Sequence, residues 1–148
     1  MTKKWYRKKL AQRNMFLEKE LGFKKEEYGV NHILLTDKNS KKRLKKFYKE
    51  KRRYGFTNYD TWDLSHNFAE YMYSHLSMYL KEATVIDLDY YKFEYKGKEY
   101  TQKEVIKLIM RDCAYFLKHQ YDEKEIVAYK AMTEAYELWT LVYGYMWW

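Results

Sequence analysis

His66 and Glu70 stand four residues apart, the spacing at which two metal ligands share one face of a helix. A zinc site needs three or four donors, and no second pair at helical spacing accompanies them among His32, His75 and His119. The expected reading is therefore polar or partly buried histidines and no metal. Asp60 and Asp63 could act as an acid pair, but carboxylates near a helix start are accounted for by the positive end of the helix dipole. Cys113 follows Met110 and precedes Phe116 and Leu117 on an apolar face, where a free thiol behaves as a small hydrophobe. No nucleophile elbow, glycine-rich phosphate loop or paired catalytic carboxylates can be found, so neither catalytic residues nor a cofactor are expected.

Binding chemistry is better represented. Lys41, Lys42, Arg43, Lys45, Lys46, Lys49, Lys51, Arg52 and Arg53 put charge around most of a helix, with Phe47 and Tyr48 among them. Phosphates reward such density through counterion release, and rings can stack on unpaired bases. Direct base reading is not expected, because Asn and Gln are scarce there and Lys is the less selective base. Trp147 and Trp148 form a second candidate, since rings at a chain end should pack on the body or on a partner.

The elements that must position these residues follow from composition and spacing. Residues 1–55 carry 19 Lys and Arg against 6 acids, net +13, while residues 56–148 carry 10 against 15, net −5. Such asymmetry suggests that the basic part meets a polyanion or an acidic protein face while the rest folds or binds something else. The 23 Lys against 6 Arg, with 18 Tyr, look like the product of an AT-rich genome, so part of the charge reflects codon bias. A chain of 148 residues with 47% hydrophobic residues can bury one core, and the absence of Pro favours continuous helix. Cys113 is alone, which excludes an internal disulfide and makes a reducing cytoplasm the natural setting. No stretch approaches the roughly 20 apolar residues that span a bilayer, and Met1–Arg7 lacks the apolar run of a signal peptide.

Lys3–Leu21 reads as a basic amphipathic helix ending at Gly22, and Phe23–Thr36 as a strand or packed loop. Lys38–Arg53 reads as a helix with a narrow apolar stripe of Leu44, Phe47 and Tyr48, closed by Gly55. From Asn58, a good N-cap, to about Ala83 the apolar residues recur at three- and four-residue spacing, which predicts a further helix. Alternation between Val85 and Tyr100 around Lys96-Gly97 predicts a hairpin. Thr101 with Glu104 and Asp122 with Glu125 have capping-box spacing and should open helices near 102–119 and 123–146. The expected fold is mainly α (α+β), with one small β-hairpin near residues 85–100. A basic helical segment, 1–55, and an aromatic-rich body, 56–148, are expected to form one compact unit.

Gly55-Phe56-Thr57-Asn58-Tyr59-Asp60-Thr61-Trp62 resembles a G-x-T-N-Y-x-T-W signature of small phage and mobile-element proteins, where it opens a helix. Asn58 can cap, Thr61 can return a bond within the first turn, and Tyr59 and Trp62 can pack on one side, so the motif reads as structural. The chain as a whole is similar in type to phage anti-CRISPR proteins, inhibitors of RNA-guided nucleases that are small, aromatic-rich and free of catalytic motifs. That resemblance implies a non-enzymatic inhibitor, acting in the host bacterial cytoplasm, that binds a Cas nuclease or its nucleic-acid complex and blocks it sterically. The alternative is a direct DNA- or RNA-binding accessory or regulatory protein. The residues set no oligomeric state.

Overall fold

The computed structural model describes residues 21, 40–61 and 63–147. The segments read from sequence as Lys3–Leu21 and Phe23–Thr36 lie outside these residues, except Leu21, which is helical. The described chain is mainly α, with helices α1 (Ser40–Tyr54), α2 (Leu64–Glu82), α3 (Gln102–His119) and α4 (Glu125–Val142). One antiparallel hairpin, β1 (Lys92–Tyr95) and β2 (Lys98–Thr101), stands between α2 and α3. The chain divides into two compact units, Met1–Asn67 and Phe68–Trp148.

In the first unit α1 buries Phe47 and Tyr48, whose rings meet edge to face at 5.7 Å. Gly55 stops the helix at φ +82°, and its amide donates to Lys51 O at 3.1 Å. This is the left-handed end that glycine adopts without steric cost. Asn58 does not cap the next helix as its residue type suggests. Its backbone amide donates to Glu50 Oε2 at 3.0 Å, and its side-chain oxygen is buried without a hydrogen-bond partner among the described residues. Residues Asn58–Thr61 form a 3₁₀ turn, closed by the Thr61 hydroxyl donating to Asn58 O at 2.7 Å. The first turn of α2 is capped instead by Asp63, whose Oδ1 accepts the His66 amide at 2.9 Å. A carboxylate there both satisfies an orphan N–H and faces the positive end of the helix. Trp62 and the Tyr59 side chain lie outside the described residues.

Most of the buried residues among those described lie in the second unit. α3 contributes Val105, Ile106, Ile109, Cys113 and Phe116, and α4 contributes Ala128, Met132, Ala135, Leu138 and Val142, all essentially without exposure. These two helices pack on one another, with small Ala128 and Ala135 on the buried face of α4. From α2 come Ala69, Met72, Tyr73 and Leu76.

The hairpin is shorter and later than the alternation suggests. Asp87 diverts the Val85–Tyr90 stretch: its Oδ1 accepts the Asp89 amide at 2.9 Å and its carbonyl accepts the Tyr90 amide at 3.2 Å. A short carboxylate that bonds its own backbone competes with strand pairing. Pairing starts at Lys92 opposite Thr101 and ends with Tyr95 opposite Lys98. Lys96 at φ +51° and Gly97 at φ +75° make the two-residue turn, both in the left-handed region that such hairpins require.

Thr101 then closes β2 and opens α3. Its hydroxyl accepts the Glu104 amide, and the Glu104 carboxylate accepts the Thr101 amide at 2.8 Å, a complete capping box. The second proposed box does not form. Asp122 Oδ1 accepts the Lys124 amide at 2.7 Å and Oδ2 meets His119 Nδ1 at 2.7 Å, so the carboxylate is used in the turn and α4 starts at Glu125. The His119 bond is the main cause that holds the Asp122 carboxyl below its ordinary value. α4 ends at Val142, and a 3₁₀ turn, Tyr143–Tyr145, carries the chain toward Trp147. That turn is held by buried Gln102, whose Nε2 donates to Tyr145 O at 3.1 Å, and by Tyr91 and Phe93, whose rings meet Tyr145.

Candidate functional site

α1 sorts its charge by face. Lys42, Lys45, Lys46, Lys49, Arg52 and Arg53 are exposed, whereas Phe47 and Tyr48 are buried and Lys51 is half-buried. At 100° per residue the six exposed cations fall within an arc of about 120°, and Phe47, Tyr48 and Lys51 lie on the other side. The expectation of charge around most of the helix is thus sharpened for the described side chains to one stripe. The side chains of Lys41 and Arg43 lie outside the described residues.

Among the described residues the stripe is lightly neutralised. Glu50 is the one acid in α1, and it faces Lys46 at 3.5 Å while also accepting the Asn58 amide. Arg52 Nε donates to Tyr48 O at 3.4 Å, and the Arg53 guanidinium lies 5.3 Å from the Tyr54 ring centre. Lys42, Lys45 and Lys49 meet no carboxylate among the described residues. Lys51, Arg52 and Arg53 occupy the last turn, where the negative end of the helix dipole favours cations. From Lys42 to Arg53 the stripe runs about 17 Å at 1.5 Å per residue.

A different surface lies within the second unit. α2, the end of α4 and the following turn enclose a shallow groove of about 350 Å³ whose walls include Tyr71, His75, Met78, Tyr79, Trp139 and Met146. His75 stacks on Tyr71 with ring centres 3.7 Å apart, and its Nδ1 lies 2.8 Å from Tyr71 O. The Tyr79 hydroxyl donates to Trp147 O at 3.3 Å, and partial burial raises its ionisation above the ordinary phenol range. Trp147 itself is 64% exposed, so its backbone is fastened while its ring stays outside. Trp148 lies outside the described residues. Residue types alone did not single out Tyr71, His75 or Met78. Their i, i+4 and i+7 spacing, which sets them on one face of α2, is the signal the sequence holds.

Cys113 has no exposure, and burial, with the neighbouring Asp112 charge second, pushes its thiol up to about 12. A thiol so protonated is a packing group and not a nucleophile. Asp112 is itself buried, and desolvation raises its carboxyl despite the Arg111 guanidinium at 2.7 Å. Among the described residues, no three His, Cys, Asp or Glu side chains are grouped to hold a metal ion, and no helix is long and apolar enough to cross a membrane. No family model, curated protein or solved structure matches this chain.

Proposed function

We propose that this chain is a non-enzymatic binding protein that attaches through α1 to a nucleic-acid-processing complex and blocks it sterically, the target class implied by the resemblance being an RNA-guided nuclease. The observation that carries the reading is the one-sided stripe of Lys42, Lys45, Lys46, Lys49, Arg52 and Arg53. Six cations over about 17 Å match the charge density of a nucleic-acid strand, which in duplex DNA carries a phosphate every 3.4 Å or so. The exposed ring of Trp147 and the Tyr-rich second unit supply the residue types that dominate interface energy.

The same stripe supports a second reading, direct attachment to free DNA or RNA. A cleavage assay with a panel of guide-loaded nucleases, run beside a mobility shift on the bare nucleic acids, separates the two. Inhibition by the native chain that is lost in a Lys45, Lys46, Lys49, Arg52 and Arg53→Glu variant supports the inhibitor. Tight, steeply salt-dependent binding to bare nucleic acid without inhibition assigns the stripe to the second reading.

A further inference from the structure

The cations of α1 end on two open rings. Tyr54, the last residue of the helix, is 55% exposed, and Phe56 is 54% exposed. Residues two apart on a helix do not face each other. Gly55 changes that: its φ of +82° ends the helix and turns the chain, and the two ring centres come to 6.2 Å with their planes at 35°. Arg53, the last cation of the stripe, holds its guanidinium 5.3 Å from the centre of the Tyr54 ring. Positive charge and aromatic surface are therefore continuous at this end of α1.

The two features suit different parts of one ligand. Lys42 to Arg53 cover about 17 Å, the length of roughly five phosphates at 3.4 Å each. Cations take phosphates and favour the duplex if they favour either form, since it carries one charge per 1.7 Å or so of its axis. Rings select the other way. A base inside a duplex has both faces covered by its neighbours, whereas an unpaired base can lay a face on an aromatic side chain. Phe47 and Tyr48, the rings that the sequence sets among the cations, are 1% and 4% exposed and cannot stack on a base. Among the described side chains of the first unit, Tyr54 and Phe56 are the Tyr and Phe rings open to solvent.

We infer that α1 and the turn after it bind a single strand of nucleic acid, with phosphates along the stripe and an unpaired base on Tyr54 and Phe56. Arg53 serves both parts, because a guanidinium pairs with phosphate and also lies against π faces. The inference rests on the reading of α1 as a nucleic-acid contact and adds to it the form of the strand. Phosphates and base faces are common to RNA and DNA, so a strand of either kind presents the chemistry that this surface takes.

The test is fluorescence anisotropy of labelled mixed-sequence strands of about 12 nucleotides, longer than the stripe, as single-stranded DNA, single-stranded RNA and the matching DNA duplex. The full chain is titrated to about 200 μM at about 50 mM salt, which reaches micromolar affinities. The native chain should bind the single strands at least as tightly as the duplex, despite the higher charge of the duplex. Tyr54→Ala with Phe56→Ala should lower single-strand affinity by about tenfold or more, change duplex affinity by less than about twofold, and leave the salt slope as it was. Both rings stand mostly in water, so the helical circular dichroism should not change. Tyr54→Trp with Phe56→Trp should keep the affinity and Tyr54→Leu with Phe56→Leu should lose it, which separates stacking from plain apolar contact.

Ring variants that bind single strands like the native chain, or that lose single strand and duplex alike, overturn the inference. In the first case a Lys45, Lys46, Lys49, Arg52 and Arg53→Glu variant that loses both forms leaves α1 a nucleic-acid contact without stacking, and one that loses neither removes the reading of α1 as well. Absence of binding to the single strands also overturns the inference, and the cleavage assay with guide-loaded nucleases then decides the reading of α1 by itself.

Discussion

Asn58 and Asp63 are both residues that start helices, and the chain uses Asp63. The difference is measurable. Asp63→Ala removes the acceptor of the His66 amide and should cost about 1 kcal/mol in urea unfolding. Asn58→Ala removes a side-chain oxygen that has no hydrogen-bond partner among the described residues and should cost clearly less. An equal or larger loss at Asn58 would return the cap to the motif. Cys113 gives a second prediction at this scale. Because its thiol is pushed up to about 12, the folded chain should resist alkylation at pH 9 and react quickly once urea unfolds it. The sign for stability follows: the unfolded thiol loses its proton at lower pH than the folded one, so this group's stabilising contribution is complete below the unfolded value and declines as pH rises toward 12. Cys113→Ser should flatten that part of an alkaline unfolding profile.

At the scale of elements, the described helices were legible from their apolar periodicity, and α3 from its cap as well. Thr101 and Glu104 name the start of α3 directly, and Gly55 and Gly97 mark a helix end and a turn that need positive φ. Where a polar side chain had two possible backbone partners, spacing alone misled. Asp87 folds its own stretch into a turn in place of a strand, and Asp122 bonds Lys124 and His119 in place of capping a helix with Glu125. The candidate site was legible as a list of cations but not as a stripe, since its one-sidedness comes from the burial of Phe47 and Tyr48. Two substitutions test the element boundaries. Gly97→Ala meets no neighbouring atom within 4 Å, so its cost is conformational alone, about 1 kcal/mol at φ +75°. Thr101→Ala should cost about 1 kcal/mol by removing the cap of α3. Thermal unfolding of both variants measures these losses, and a neutral Thr101→Ala would mean that β2 and not the capping box sets the start of α3.

At the scale of the whole molecule, charge and core are separated along the sequence. Residues 1–55 carry net +13 and residues 56–148 net −5; in α1 the six exposed cations among the described side chains share one face, and the second unit holds a packed aromatic core. A phosphate partner makes this division visible in salt dependence, because each neutralised phosphate of duplex DNA contributes a slope of about −0.9 in log affinity against log salt. The most direct measurement is the binding of the native chain and of its Lys45, Lys46, Lys49, Arg52 and Arg53→Glu variant to a guide-loaded nuclease, titrated across salt with cleavage read in parallel. The native chain should bind and inhibit, with a slope several units steeper than that of the variant, and the variant should lose affinity by about a hundredfold or more at low salt. A variant that binds and inhibits undiminished would contradict the account, because the basic face of α1 would then make no contact that matters.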